Sequence, residues 1–149
     1  MPRRPQRAGN WSLRQVALAA GTSIATAKSA VRDGHLTVGD LTAHDTVVLR
    51  AASMLPSLRP VGELREANRA RTVPVREREA VARLRAALEV GLPHQAVLVI
   101  DEDGAEILDS VERCIGAAQL LLSRGVPYLA LPVGAWASEL LGAPQQQAA

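Results

Sequence analysis

Leu13-Arg14-Gln15-Val16-Ala17-Leu18-Ala19-Ala20-Gly21-Thr22-Ser23-Ile24-Ala25-Thr26-Ala27-Lys28-Ser29-Ala30-Val31-Arg32-Asp33-Gly34 reads as two short helices pivoting on a glycine. Val16, Ala17 and Ala20 supply the small or apolar surface that a first helix needs where a second crosses it steeply. Gly21 stands where the tight turn demands a positive φ, which glycine adopts without steric cost. Ser23 is placed to cap the second helix through its hydroxyl. With Ala27, Ala30 and Val31 turned inward, the second helix presents Ile24, Ala25, Lys28, Ser29 and Arg32 on its outer face. A face of this kind can enter a DNA major groove. The plainer account of the same letters is an antiparallel helix pair eased together by small residues.

The residues that follow extend the pattern. His35 to Leu41 is too short for a helix and is expected to form the extended wing or turn of a winged helix, with His35 and Thr37 as added contacts. Thr42-Ala43-His44-Asp45 has the form of a capping box, a hydroxyl followed three residues later by an acid. Thr46 to Leu55 places Val48, Leu49, Ala52 and Leu55 at helical spacing, closing a small three-helix core.

The spacing from Val16 through Gly21-Thr22-Ser23, Thr26, Lys28 and Gly34-His35-Leu36 resembles the MerR-like winged helix-turn-helix domain, which occurs also in small actinobacterial relatives and excisionase-type proteins. The resemblance covers the first third of the chain. It implies a DNA-reading second helix whose basic position is Lys28. The chain departs from the family where Ser29 and Ala30 stand in place of aromatic residues, and it lacks the long coiled-coil helix and effector-binding tail of full-length MerR regulators. Metal or drug sensing is therefore not implied.

Charge is strongly polarised along the chain. Residues 1–86 hold 15 basic and 7 acidic side chains, a balance of +8, whereas residues 87–149 hold 2 and 8, a balance of −6. Basic side chains displace counterions from phosphates, and Arg3, Arg4 and Arg7 form an arm suited to backbone or minor-groove contact. An arginine-rich, solvated start also occurs in unrelated proteins. In the DNA-binding reading, Ile24, Ala25, Lys28 and Ser29 approach bases, while Arg14, Ser23, Arg32 and the arm hold phosphates.

Composition narrows the classes. The 149 residues suffice for one ordinary domain or two small ones, and the aromatic residues are only Trp11, Trp136 and Tyr128. That scarcity argues against base-stacking recognition of RNA or single strands. No stretch approaches the ~20 apolar residues of a membrane span, and the basic start is not followed by a signal-peptide core. A single cysteine, Cys114, agrees with a reducing compartment, so a cytoplasmic location is expected.

The second half is of another kind. Pro56, Pro60 and Pro74 bracket a charged stretch, Val61 to Thr72, read as a linker with one helical piece around Glu63 to Arg71. Glu77 to Val90 is expected to be an amphipathic helix with Val81, Leu84 and Leu88 on one face and an exposed Glu79–Arg83 pair. Ala96 to Ile100 and Ala105 to Leu108 read as strands about an Asp101-Glu102-Asp103-Gly104 turn. Ser110 to Ser123 carries Val111, Ile115, Ala118 and Leu122 at helical spacing and is expected to be a buried helix. Tyr128 to Val133 reads as a strand, Ala135 to Leu141 as a last helix, and Ala143 to Ala149 as a disordered tail.

Catalytic chemistry finds little footing here. Asp101, Glu102 and Asp103 could bind a divalent cation, but an acidic hairpin turn uses the same letters. Cys114 lies on an apolar stripe with no adjacent base, since His35 and His44 belong to the first half and His94 precedes a strand. The glycines show no phosphate-loop spacing. Strand, Asp109-Ser110 and apolar helix are similar to an anti-sigma-antagonist-type fold with a phosphorylatable serine, although an N-cap explains Ser110 more simply. No enzyme activity, cofactor or metal is expected.

The expected fold is α+β: a basic arm (1–10), a winged helix-turn-helix three-helix domain (11–56), a linker (57–75), a small α/β module (76–142) and the tail. The expected function is sequence-specific binding of double-stranded DNA by a bacterial transcriptional regulator. A single reading head covers few base pairs, so a homodimer is expected, with the α/β module dimerising or receiving a small ligand or protein. The alternatives are a plasmid, phage or mobile-element accessory protein, excisionase-like or segregation-related, and an adaptor that does not bind DNA.

Overall fold

A computed structural model describes residues 11–58 and 73–142. The arginine arm, the helical piece expected within the linker and the tail from Ala143 lie outside the described residues.

The first helix, α1 (Leu13–Ala20), starts in a capping box. Ser12 Oγ accepts the Gln15 N–H at 3.1 Å, and Gln15 Oε1 accepts the Ser12 N–H at 2.8 Å. The helix stops at Gly21, whose φ of 73° reverses the chain while the N–H groups of Gly21 and Thr22 return to Leu18 and Ala17 carbonyls. Helix α2 (Ile24–Arg32) begins at once, with Ser23 Oγ accepting the Thr26 N–H at 3.1 Å. Helix α3 (His44–Met54) runs into a 3-10 turn over Leu55–Leu58. Its capping differs in detail from the expected box. Asp45 Oδ2 does reach back to the Thr42 N–H, at 2.6 Å, but the Thr42 hydroxyl takes the N–H of His44, and Asp45's own N–H goes to the Thr42 carbonyl.

Helix α4 (Val75–Val90) buries Val81, Leu84 and Leu88 and shows the expected surface pair, Arg83 Nε to Glu79 Oε1 at 3.0 Å. Strands β1 (Val97–Asp101) and β2 (Gly104–Leu108) form a hairpin. Helix α5 (Val111–Arg124), capped by Ser110 Oγ on the Arg113 N–H, leads to β3 (Leu129–Leu131) and then to α6 (Val133–Leu141). The architecture is α+β, six helices with a three-stranded sheet among the described residues.

The sheet order is β2-β1-β3, with both neighbours antiparallel to β1. The two outer strands therefore run the same way, and joining them needs a crossover, which α5 supplies. Alternation divides the strands between two faces. Leu98 and Ile100, with their register partners Ile107, Ala105, Leu131 and Leu129, make the face that joins the main core. Val99 and Leu108 lie on the other face, toward α5. The all-antiparallel pairing makes this half an α+β unit rather than the expected α/β layer.

A single core runs through both halves. Val16, Ala27, Val47, Val48, Leu49 and Leu55 of the first half are continuous with Leu84, Leu98, Ile100 and Val133 of the second. Helix α3 is the shared element, packing on α1 and α2 on one side and on α4 and α6 on the other. That explains why α3 buries Asp45 to Leu49 without a break, where an amphipathic surface helix would alternate.

Two expectations are corrected, and one pair of alternatives is decided. Helix α5 is not buried: Leu121 is its one buried side chain, and Val111, Ile115 and Leu122 are 59%, 54% and 69% exposed. An apolar stripe records that a face avoids water, and in this chain no described element covers it. Cys114 is accordingly half-buried rather than a core residue. Between α2 and α3, residues 33–43 form turns and no hairpin, so of the two readings of His35 to Leu41 the turn is the one observed. Leu36 and Leu41 anchor this segment in the core, and the Trp11 N–H bonds the Leu41 carbonyl at 3.3 Å.

The seating of α6 on the sheet generates a paired stability prediction. A Cβ on Gly134 would stand 2.1 Å from the Pro93 carbonyl oxygen, 2.6 Å from that of His94 and 2.7 Å from the Ala96 nitrogen. Gly134→Ala should cost about 3 kcal/mol in urea unfolding, the upper end of the overpacking range, because backbone cannot step aside. Gly116→Ala, which meets nothing within 4 Å on exposed α5, should instead stabilise by roughly 0.5–1 kcal/mol.

Candidate nucleic-acid interface

The outer face of α2 is built by subtraction. Ala27 and Ala30 are buried and Val31 is partly buried, which commits one side of the helix to α1 and α3. Ile24, Lys28 and Arg32 follow one another at four-residue steps on the opposite side, all exposed, with exposed Ala25 and half-buried Ser29 beside them. Arg32 Nη2 lies 3.4 Å from Ser29 Oγ, which sets the guanidinium along the helix surface. The structure thus gathers five of the expected contact residues on one ridge.

Other expected residues fall around it. Arg14 is exposed on α1, and Ser23 is exposed at the start of α2, where its oxygen accepts from the Thr26 backbone and lies 2.9 Å from the Thr26 hydroxyl. Its place is in holding the turn. Thr37 is exposed in the 33–43 segment. His35 is a correction: it is 5% exposed, because the chain must turn inward there to bring Leu36 into the core, and its ring is not presented to a groove. Arg3, Arg4 and Arg7 lie outside the described residues. Leu18, four residues after Arg14 on α1, is 81% exposed, which its apolar character did not announce.

The cations of this surface are unpaired, as are Arg78 and Arg124 elsewhere in the described protein. Among the described residues Arg14, Lys28 and Arg32 form no ion pair, whereas Arg50, Arg83, Arg85 and Arg113 are each tied to a carboxylate. Charges left unneutralised are available to a polyanion, and each one that meets a phosphate releases a counterion.

Two long-range cation contacts hold the ridge in place. Arg50 of α3 donates from Nε to the Ala20 carbonyl at 3.0 Å, satisfying the C-terminal end of α1. The same side chain pairs through Nη1 with Glu139 Oε2 at 3.2 Å and lies over the Trp136 ring, 5.7 Å from its centroid, so the α1–α2 turn is tied to α6. Arg85 of α4 donates through Nη2 both to Asp45 Oδ1, at 2.7 Å, and to the His35 carbonyl at the exit of α2. These partners are 30 to 89 residues apart in the chain, and no local pattern announces them.

The cleft beside the sheet has a more acidic character. A cleft of about 310 Å³ between α5 and the sheet is lined by Glu79, Asp101, Asp103, Glu106 and Arg124 around Val99, Leu108 and Leu120. Asp101 Oδ1 accepts the N–H groups of Asp103, at 2.8 Å, and Gly104, at 3.1 Å, which is the work of a hairpin turn. Among the described residues no group of three His, Cys, Asp or Glu side chains is arranged to hold a metal ion, and no helix is long and apolar enough to cross a membrane. Comparisons with protein-family models, with curated proteins and with solved structures returned no match.

The Asp45 junction yields a direct test. Asp45→Ala removes the partner of Arg85 and strips the Thr42 N–H of its acceptor, and should cost about 2–3 kcal/mol in chemical denaturation. Arg85→Met, which keeps the stem but leaves Asp45 without its ion pair, should cost a similar amount; additive losses in the double variant would show that the pair does not act as a unit.

Proposed function

We propose that this chain is a sequence-specific double-stranded DNA-binding protein, a bacterial transcriptional regulator that acts as a dimer. The observation that carries the reading is the outer ridge of α2. Ile24, Lys28 and Arg32 stand exposed on a helix that follows α1 across a three-residue turn, with two cations that no carboxylate in the described protein neutralises. A helix seated in this way is what a winged helix-turn-helix presents to a major groove, and the MerR-like resemblance of the same residues agrees with it.

In this reading Lys28 and Ser29 meet base edges, Ile24 and Ala25 offer apolar contact to thymine methyl groups, and Arg14 and Arg32 hold phosphates on either side. Thr37 contacts backbone from the segment after α2. The N-terminal arginines add non-specific affinity from the arm. Acidic groups about the α5 cleft sit in the half that would face away, where they repel DNA approaching in the wrong orientation.

Fluorescence anisotropy tests this with the duplex upstream of the protein's own coding sequence and a scrambled duplex. Preference for the native duplex is expected, declining steeply with salt. Lys28→Ala should weaken the native complex by roughly tenfold and narrow the gap between the two duplexes. Equal binding to both would assign the accessory, DNA-organising role, and absence of binding at low salt would sink the DNA reading in favour of an adaptor.

A further inference from the structure

The cleft between α5 and the sheet is walled by two regular elements. On the helix, Ala117, Leu120, Leu121 and Arg124 recur at steps of three, one and three residues and share one face. On the sheet, Val99 and Asp101 alternate along β1 opposite Glu106 and Gly104 of β2, and Leu108, two residues on from Glu106, keeps to the same face. Leu121 is the one buried side chain of α5, and about 310 Å³ stays open between helix and strands. Pockets for small molecules begin at about this size, ~300 Å³, and combine apolar walls with a few convergent polar groups.

The charges around this space are of both signs and do not all cancel one another. Glu79 pairs with Arg83, Glu106 pairs with Arg113, and Asp101 uses Oδ1 for the Asp103 and Gly104 N–H groups. Among the described residues the Asp103 carboxylate forms no ion pair, and Arg124, which borders the same cleft as four carboxylates, pairs with none of them. An arginine and a carboxylate that border one cleft without closing on each other leave both charges to a molecule lying between them.

We infer that the cleft binds a small aliphatic amino acid as its zwitterion. The ligand carboxylate takes the fork of Arg124, which offers two parallel N–H donors. The ammonium goes to Asp103 and the second oxygen of Asp101, and the side chain lies among Val99, Leu108 and Leu120. Overall charge agrees with this choice. The four carboxylates outnumber Arg83, Arg113 and Arg124 by one, so a zwitterion is accommodated and a phosphate or other polyanion is repelled. The site makes no use of the α2 ridge and stands apart from the DNA reading.

Titration calorimetry of the full chain with leucine tests it, with a dissociation constant of about 0.1 mM expected for a ligand of this size in an open cleft. Glycine, which has no apolar part, should bind more weakly by at least roughly tenfold. Arg124→Gln should weaken leucine by roughly tenfold and leave leucinamide, which has no carboxylate, unchanged. Asp103→Asn should weaken both and leave isocaproate, which is leucine without its ammonium, no weaker. Neither side chain has an ion-pair partner among the described residues, so both variants should keep the wild-type circular dichroism and melting temperature. No heat and no rise in melting temperature with leucine, isoleucine or valine at about 10 mM, leucinamide that binds as tightly as leucine, or leucine binding indifferent to both variants would each overturn the proposal. Leucine binding by a chain that ignores every duplex would uphold this site and sink the DNA reading; a chain that reads DNA and takes no leucine would do the reverse.

Discussion

A buried carboxylate must be paired, and the way Asp45 is paired organises the rest of the molecule. Its two oxygens take the Thr42 backbone and the Arg85 guanidinium, and Arg85 in turn takes the His35 carbonyl. The start of α3, the exit of α2 and the middle of α4 thereby meet at one point. Desolvating an unpaired charge costs several kcal/mol, so the arrangement is close to all-or-none, and any displacement of α4 from the α1–α3 bundle exposes that cost. Arg50 does the same at the other end of α3, joining the end of α1 to α6. The apolar contacts around α3 supply the larger share of the stability, but they are non-directional. These two arginines fix the angle and register at which the halves meet.

The consequence is a division of charge by use. Arginines inside the fold are spent on carboxylates and carbonyls, and those on the α1–α2 surface are not. Glu79, Asp101, Asp103 and Glu106 gather around the α5 cleft, while Asp33 and Asp40 stand in the segment that follows α2. A net charge of +2 conceals this uneven distribution, since the basic first part of the chain and the acidic second part cancel in the sum. Polarity of this kind governs orientation on approach to a polyanion, which is an effect of the field and not of any one contact.

Much of the fold was legible because its causes are local. Gly21 at a forced positive φ, Ser23 at the N-cap and the inward Ala27 and Ala30 are each decided within a few residues, and each is found as expected. The same is true of the Glu79–Arg83 pair, the Asp101 turn and the Ser110 cap. His35 went the other way. A histidine after a helix reads as surface, but the inward turn toward Leu36 buries it; Leu18, to which the pattern gave no side, is 81% exposed.

By itself the sequence determined which segments are helix and strand, where they stop, and which side of each avoids water, because capping, backbone strain and periodicity act over one or two turns. Only the tertiary structure decided what lies against those apolar sides. It joined two expected units through α3, set β2 and β3 parallel on either side of β1, and left the α5 stripe uncovered. Periodicity carries a direction but no address. The address comes from contacts between residues tens of positions apart, whose favourable energy appears only after the chain has closed the loops between them.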